Sequence, residues 1–211
     1  RSSASSGPSA NRPSRRCRWN GGRYGRWLLE HDVIHREEGT LFLHGGLSAR
    51  FGTLPPEEMN RKTKEALRKH LGAVQALEKL GVFDEALGYR ELLWLVEEEK
   101  KAGGPHPALA GAFTAIEEAW NGILFHEEGP LWYRGLALGD ERTLGRTVEA
   151  ILRAQEANTI VIGHTQPPSL RVESRFQNRV ILIDTGMNQA VYHGHPSAIL
   201  VLPGGEVKVW E

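Results

Sequence analysis

Two histidines stand in closely similar surroundings. His44 ends the apolar run Thr40-Leu41-Phe42-Leu43 and precedes Gly45-Gly46; His164 follows Thr159-Ile160-Val161-Ile162 and Gly163, and precedes Thr165. An imidazole at the C-terminal end of a buried strand is held by that strand, and adjacent glycines let a ligand approach without a Cβ in the way. Neutral imidazole is the commonest side-chain metal ligand near neutral pH, so the pair points to metal binding. The plainer alternative is two histidines that cap their strands by hydrogen bonding. Arg134 lies within Gly129-Pro130-Leu131-Trp132-Tyr133-Arg134-Gly135, a stretch too aromatic and too punctuated for a helix interior. In an ordered loop it could grip a phosphate or carboxylate through two parallel hydrogen bonds, or stack on Trp132 or Tyr133. Asp184, in Ile183-Asp184-Thr185-Gly186-Met187, could orient a metal-bound histidine from behind or simply shape a turn. Tyr192 follows that turn as a further pocket candidate. His31, His35, His70, His106, His126, His193 and His195 read as surface or packing residues, and His193-Gly194-His195, taken to lie at a strand end, is set aside as a metal pair.

The elements that must position these groups are legible in outline. Asp32–His35 and Thr40–Leu43 flank Glu37-Glu38-Gly39 as two short strands around a turn. After Pro55-Pro56, Leu67, Leu71, Val74 and Leu77 recur at helical spacing as far as Gly81. A second helix runs to about Lys101 and is closed by Gly103-Gly104-Pro105, its charged end Glu97–Lys101 solvated. A third carries Leu109, Phe113, Ile116 and Trp120 on one face. Leu144, Val148 and Ile151 outline another helix leading into the strand Thr159–Ile162. Val180–Ile183, Ala198–Val201 and Val207–Trp210 read as further strands, the first two so continuously apolar that both faces should be covered. No internal repeat is found. The order of elements predicts an α/β or α+β layered fold with a helical block over residues 55–120.

The 211 residues are 40% hydrophobic and 25% charged, ordinary for a globular chain. The net charge is zero, but seven of the 26 basic residues, all arginines, precede Glu30 with no acidic residue among them. Residues 30–211 therefore carry 19 basic and 26 acidic groups, a net of −7, which argues against a nucleic-acid partner for the folded part. A single cysteine, Cys17, excludes an intramolecular disulfide framework and a multi-cysteine zinc module. No apolar run approaches the roughly 18 residues a membrane span needs, and the expectation is a soluble, intracellular protein. Residues 1–22, rich in serine and arginine and free of acids, read as a disordered leader. That composition also suits an organelle transit peptide, plastid included, although the chain opens with Arg1.

In order, Tyr24-Gly25-Arg26-Trp27-Leu28, Leu41-Phe42-Leu43-His44-Gly45-Gly46-Leu47-Ser48, Gly129–Gly135, Val161-Ile162-Gly163-His164-Thr165 and Ile183-Asp184-Thr185-Gly186-Met187 resemble the second half of calcineurin-like metallophosphatases. The resemblance is closest to the Shewanella-like protein phosphatases and runs from Tyr24 almost to the C-terminus. It implies a layered β-sandwich flanked by helices, spanning residues 23–211, with two divalent ions (Mn, Fe or Zn) at the strand ends. It further implies that His44 and His164 bind one of the ions and that Arg134 contacts the substrate phosphate. The reaction would be phosphate monoester hydrolysis, on phosphoproteins or small molecules, by a metal-bridging water.

The family's Asp-x-His, Gly-Asp-x-x-Asp-Arg and Gly-Asn-His-Glu motifs, which supply the remaining ligands, do not occur in this sequence. Two protein ligands remain where a stable site needs three or four. The expectation is a partial or decayed phosphatase domain, not competent alone, with a non-catalytic binding module built on the helical block as the alternative. A serine hydrolase is excluded because no serine sits in a Gly-x-Ser-x-Gly elbow. A cysteine-nucleophile phosphatase is excluded because Cys17 lies in the leader.

Overall fold

The apolar runs that end in the two histidines are neighbouring strands. The computed structural model describes residues 23–84 and 88–210; the Arg1–Gly22 leader, Cys17 included, lies outside the described residues. A short helix, α1 (Arg23–Glu30), precedes the hairpin of β1 (Ile34–Glu37) and β2 (Thr40–Leu43). Its two-residue turn has Glu38 at φ 47° and Gly39 at φ 72°, the left-handed pair that matches strand twist in a tight hairpin. The first strand begins two residues later than the sequence reading because Val33 and Ile34 are engaged from outside the sheet. The Asn60 side chain accepts from both their N–H groups at 2.9 and 3.1 Å and donates to the Ile34 carbonyl at 2.9 Å.

Three helices follow: α2 (Pro56–Lys79), α3 (Tyr89–Lys101) and α4 (Pro107–Asn121). The buried stripe of α2 runs through Met59, Thr63, His70, Ala73 and Leu77. It is offset from Leu67, Leu71 and Val74, which are only partly buried. With 24 residues α2 is about 36 Å long, long enough to serve two cores. Met59, in its first turn, packs into the sheet core with Leu41, Ile151, Ile160 and Leu182, while Ala73 and Leu77 join Leu92, Val96, Phe113 and Ile116 in the helical block. Trp120, expected on the buried face of α4, is 43% exposed.

The chain then forms α5 (Gly135–Leu138) and α6 (Glu141–Ala154), the latter capped by the Asp140 carboxylate accepting from the Thr143 N–H at 2.8 Å. Next come β3 (Thr159–Ile162), β4 (Glu173–Arg175) and β5 (Val180–Leu182). The five-stranded sheet has the order β1-β2-β3-β5-β4, parallel at β2-β3 and β3-β5 and antiparallel at both edges. The fold is mixed α/β. After α7 (Gln189–Tyr192), β6 (Ala198–Val201) and β7 (Val207–Trp210) pair only with each other. Here the sequence expectation is corrected. Ala198–Val201 is continuously apolar, yet Leu200 is 57% exposed, because a two-stranded ribbon has no central position to bury it. The ribbon meets the rest through its turn, where the Gly204 N–H donates to Glu38.

Candidate functional site

Parallel register carries His44 to His164. Leu43 pairs with Ile162, so the next residues on each strand, His44 and Gly163, emerge side by side, and the Gly163 N–H donates to the His44 carbonyl at 2.9 Å. His164 Nδ1 then lies 2.9 Å from His44 Nε2, with the rings 4.7 Å apart. His164 adopts φ +61°, and the tight turn around it is closed by the Thr165 N–H to the Gly163 carbonyl at 2.6 Å. A left-handed backbone on a residue with a Cβ is strained, and it persists only where surrounding contacts hold it.

Those contacts include the arginine. Arg134 Nη1 donates to Thr165 Oγ1 at 2.9 Å and to the His164 carbonyl at 3.2 Å. Its loop is docked on the His44 turn by the Gly45 and Gly46 N–H groups, both donating to the Pro130 carbonyl at 2.8 and 3.2 Å. Arg175 secures the following turn, donating to the Leu136 and Gly139 carbonyls at 2.9 and 2.5 Å. The Trp132 indole N–H donates to the Leu124 carbonyl at 3.1 Å and its ring stands edge-on to His164 at 5.5 Å. The structure thus brings together His44, His164 and Arg134, drawn from three separated segments.

Glycine has a different purpose here from the one its position suggested. A Cβ on Gly45 would come within 2.7–2.9 Å of the Leu131-Trp132 backbone, and one on Gly46 within 2.9 Å of the Tyr133 carbonyl. What these glycines admit is the arginine loop.

Burial pushes the His164 pKa below its ordinary value, with the Arg134 and His44 charges acting in the same direction and Asp184 against them. The ring is therefore neutral at pH 7, the form that binds a metal. Its Nε2 is buried and has no hydrogen-bond partner among the described residues. Two imidazole nitrogens at this distance share a hydrogen bond, one ring donating to the other, and an ion bound by both would sit off the line joining them. Metal–nitrogen bonds of about 2.0–2.1 Å put two ligands roughly 3 Å apart or slightly more, so this pair fits two corners of a metal site. Among the described residues no group of three or more His, Cys, Asp or Glu could hold an ion.

Asp184 is engaged locally, accepting from the Gly186 N–H at 3.2 Å, and reaches His164 only through its charge. Tyr192 is half-exposed on α7, beside Gly186. His193 is the left-handed residue that ends α7, not a strand end. His106 caps α4, His126 lies 2.7 Å from Arg50 Nη1, and His70 is buried. Thr165 was missed as a site residue. Its only signal was its place beside His164, whereas its 6% exposure and its bond to Arg134 mark it as the side chain that orients the guanidinium.

No family model matches the chain. It is 26% identical over 198 residues to an uncharacterised protein of Schizosaccharomyces pombe, covering 92% of this chain and 46% of that protein. Two solved structures of cold-active protein tyrosine phosphatase are similar, one of them from a psychrophilic Shewanella. Each is 20% identical over 89% of this chain, with TM-scores of 0.49 and 0.47, and 44% and 45% of those chains are covered. The chain spans less than half the length of each protein it matches. No helix among the described residues is long and apolar enough to cross a membrane.

Proposed function

We propose that this chain supplies the half of a metal-dependent phosphatase site that binds one metal ion and the phosphate of a phosphomonoester, with phosphoproteins as the substrate class. The observation that carries this reading is the convergence of His44 Nε2 and His164 Nδ1 at 2.9 Å, beside Arg134. His44 and His164 would hold one divalent ion (Mn, Fe or Zn). When bound, divalent ions supply Lewis-acid polarisation of the phosphoryl oxygens and an acidified water as nucleophile. Arg134 is held through Nη1, and its other N–H groups have no acceptor among the described residues, so they are open to a phosphoryl oxygen. Thr165 and the His164 carbonyl fix the guanidinium before substrate arrives, which removes part of its ordering cost. Asp184 biases the nearby imidazole by charge, and Trp132 shields it from water.

The lack of a third donor among the described residues favours a second reading, in which the chain alone binds phosphorylated ligands without turnover. Calorimetric titration with Mn²⁺ or Zn²⁺ tests the ligand assignment. Saturable binding should weaken at least about tenfold, roughly 1.4 kcal/mol, in His44→Ala and in His164→Ala. Inorganic phosphate binding to the metal-loaded chain should weaken similarly in Arg134→Ala. Isotherms that are the same in wild type and both histidine variants would refute the reading. Turnover of an aryl phosphate by the metal-loaded chain would dispose of the second reading.

A further inference from the structure

The His44–His164–Arg134 cluster does not end at Arg134. A groove of about 700 Å³ opens beside it, with Arg134 in its lining and Trp120, Phe125, Trp132 and Tyr133 as further walls. Glu127 and Glu128 also line it. The walls are fixed from behind. Phe125 stacks near Tyr89 at 4.7 Å and Trp120 near the same ring at 5.5 Å, while the Trp132 indole is tethered to Leu124. Trp120 and Trp132 are nevertheless 43% and 44% exposed, so both rings offer surface to an occupant. Glu128 is partly engaged, 3.7 Å from Arg50 Nη1. Glu127 is exposed and has no ion-pair partner among the described residues.

Three kinds of side chain could enter such a groove, and the electrostatics separate them. An apolar group would gain from the aromatic walls but strip water from two carboxylates, a cost of a few kcal/mol per uncompensated polar group. An acidic group would be repelled by both carboxylates and drawn to the Arg134 end of the groove, where the phosphate is read to bind. A cationic group gains from the indole faces and the carboxylates at once, and a planar guanidinium gains most because it stacks and forms paired hydrogen bonds.

We propose that this groove is a subsite for a cationic side chain, arginine above all, flanking the phosphorylated residue of a substrate peptide. The proposal rests on the phosphate-binding reading of Arg134 for its geometry: anion at the arginine, cation along the aromatic and acidic wall.

The probe is a set of alanine-based phosphoserine peptides with one arginine at each of the three positions on either side of the phosphate. Each has a counterpart in which citrulline replaces the arginine, keeping shape and removing charge. Binding to the full metal-loaded chain is followed by tryptophan fluorescence. At one position the arginine peptide should bind about tenfold tighter than its citrulline twin, within the range of a desolvated cation–π contact. That ratio should fall towards one in the exposed Glu127→Gln and in Trp120→Leu, the latter read against its melting temperature because Trp120 also packs near Tyr89. A ratio of one at every position overturns the proposal, as does tighter binding of a phenylalanine counterpart or no binding of any arginine peptide at millimolar concentration. Unphosphorylated versions separate the two readings. Loss of phosphate preference with the arginine ratio intact refutes the phosphate reading alone; phosphate preference with no arginine ratio refutes the subsite alone.

Discussion

Alanine at two glycines beside the paired histidines should have opposite effects, and the sign follows from what a Cβ would meet. At Gly45 the new carbon would sit 2.7, 2.8 and 2.9 Å from Leu131 C, Trp132 N and Leu131 O, backbone atoms that cannot rotate away. Relief requires the arginine loop to lift off the His44 turn, straining the two bonds to the Pro130 carbonyl. Overpacking of this kind costs about 1–3 kcal/mol, and for a chain of this size each kcal/mol moves Tm by about 2–4 °C. Gly45→Ala should therefore melt about 2–12 °C below wild type. At Gly163 the Cβ would meet only the His44 carbonyl, at 3.6 Å, an ordinary contact. There alanine restricts the unfolded chain without a native clash and should be neutral or stabilising by up to about 1 kcal/mol. Differential scanning fluorimetry and urea unfolding read both. A Gly163→Ala loss as large as that of Gly45→Ala would refute the reasoning, as would a Gly45→Ala protein that melts with wild type.

Two further expectations concern the frame. Asn60→Ala leaves the Val33 and Ile34 N–H groups and the Ile34 carbonyl without partners at a buried position, and should lower stability by about 1–3 kcal/mol in urea unfolding. An unchanged midpoint would show that Asn60 does not tie α2 to β1. Burial lowers the His70 pKa from its ordinary 6.5, so the unfolded chain takes up the proton first as pH falls. The stability linked to His70 is full above pH 6.5 and is lost below it, towards the lowered folded value. Wild type should lose more stability between pH 7.5 and pH 5 than His70→Phe; equal losses would contradict this.

What was legible in the sequence is local. The runs ending in His44 and His164, the breakers of the main helices, and the loop around Arg134 all carry their signal within a few residues. What was not legible depends on distant partners. The offset face of α2 follows from Asn60 and Met59 meeting the sheet. The apolar run Ala198–Val201 reads as a central strand because composition cannot say how many neighbours a strand will have. The left-handed turn at His164 has no glycine to announce it, and Thr165 gains its role only from Arg134, 31 positions away. The convergence of the two histidines came from a family resemblance rather than from spacing, because parallel register across 120 residues leaves no periodic trace.

That separation also bears on folding, through the loops that must close. The helical block is closed by α2 packing on α4 across α3, a shorter loop than the more than a hundred residues that pairing β2 with β3 must close before any bond repays it. A chain with its helices formed and its central strands still apart has most of its regular structure and no imidazole pair. Helicity is thus a poor witness for this protein: the meeting of residues 44 and 164 reports the closure of its central sheet, which helix content does not.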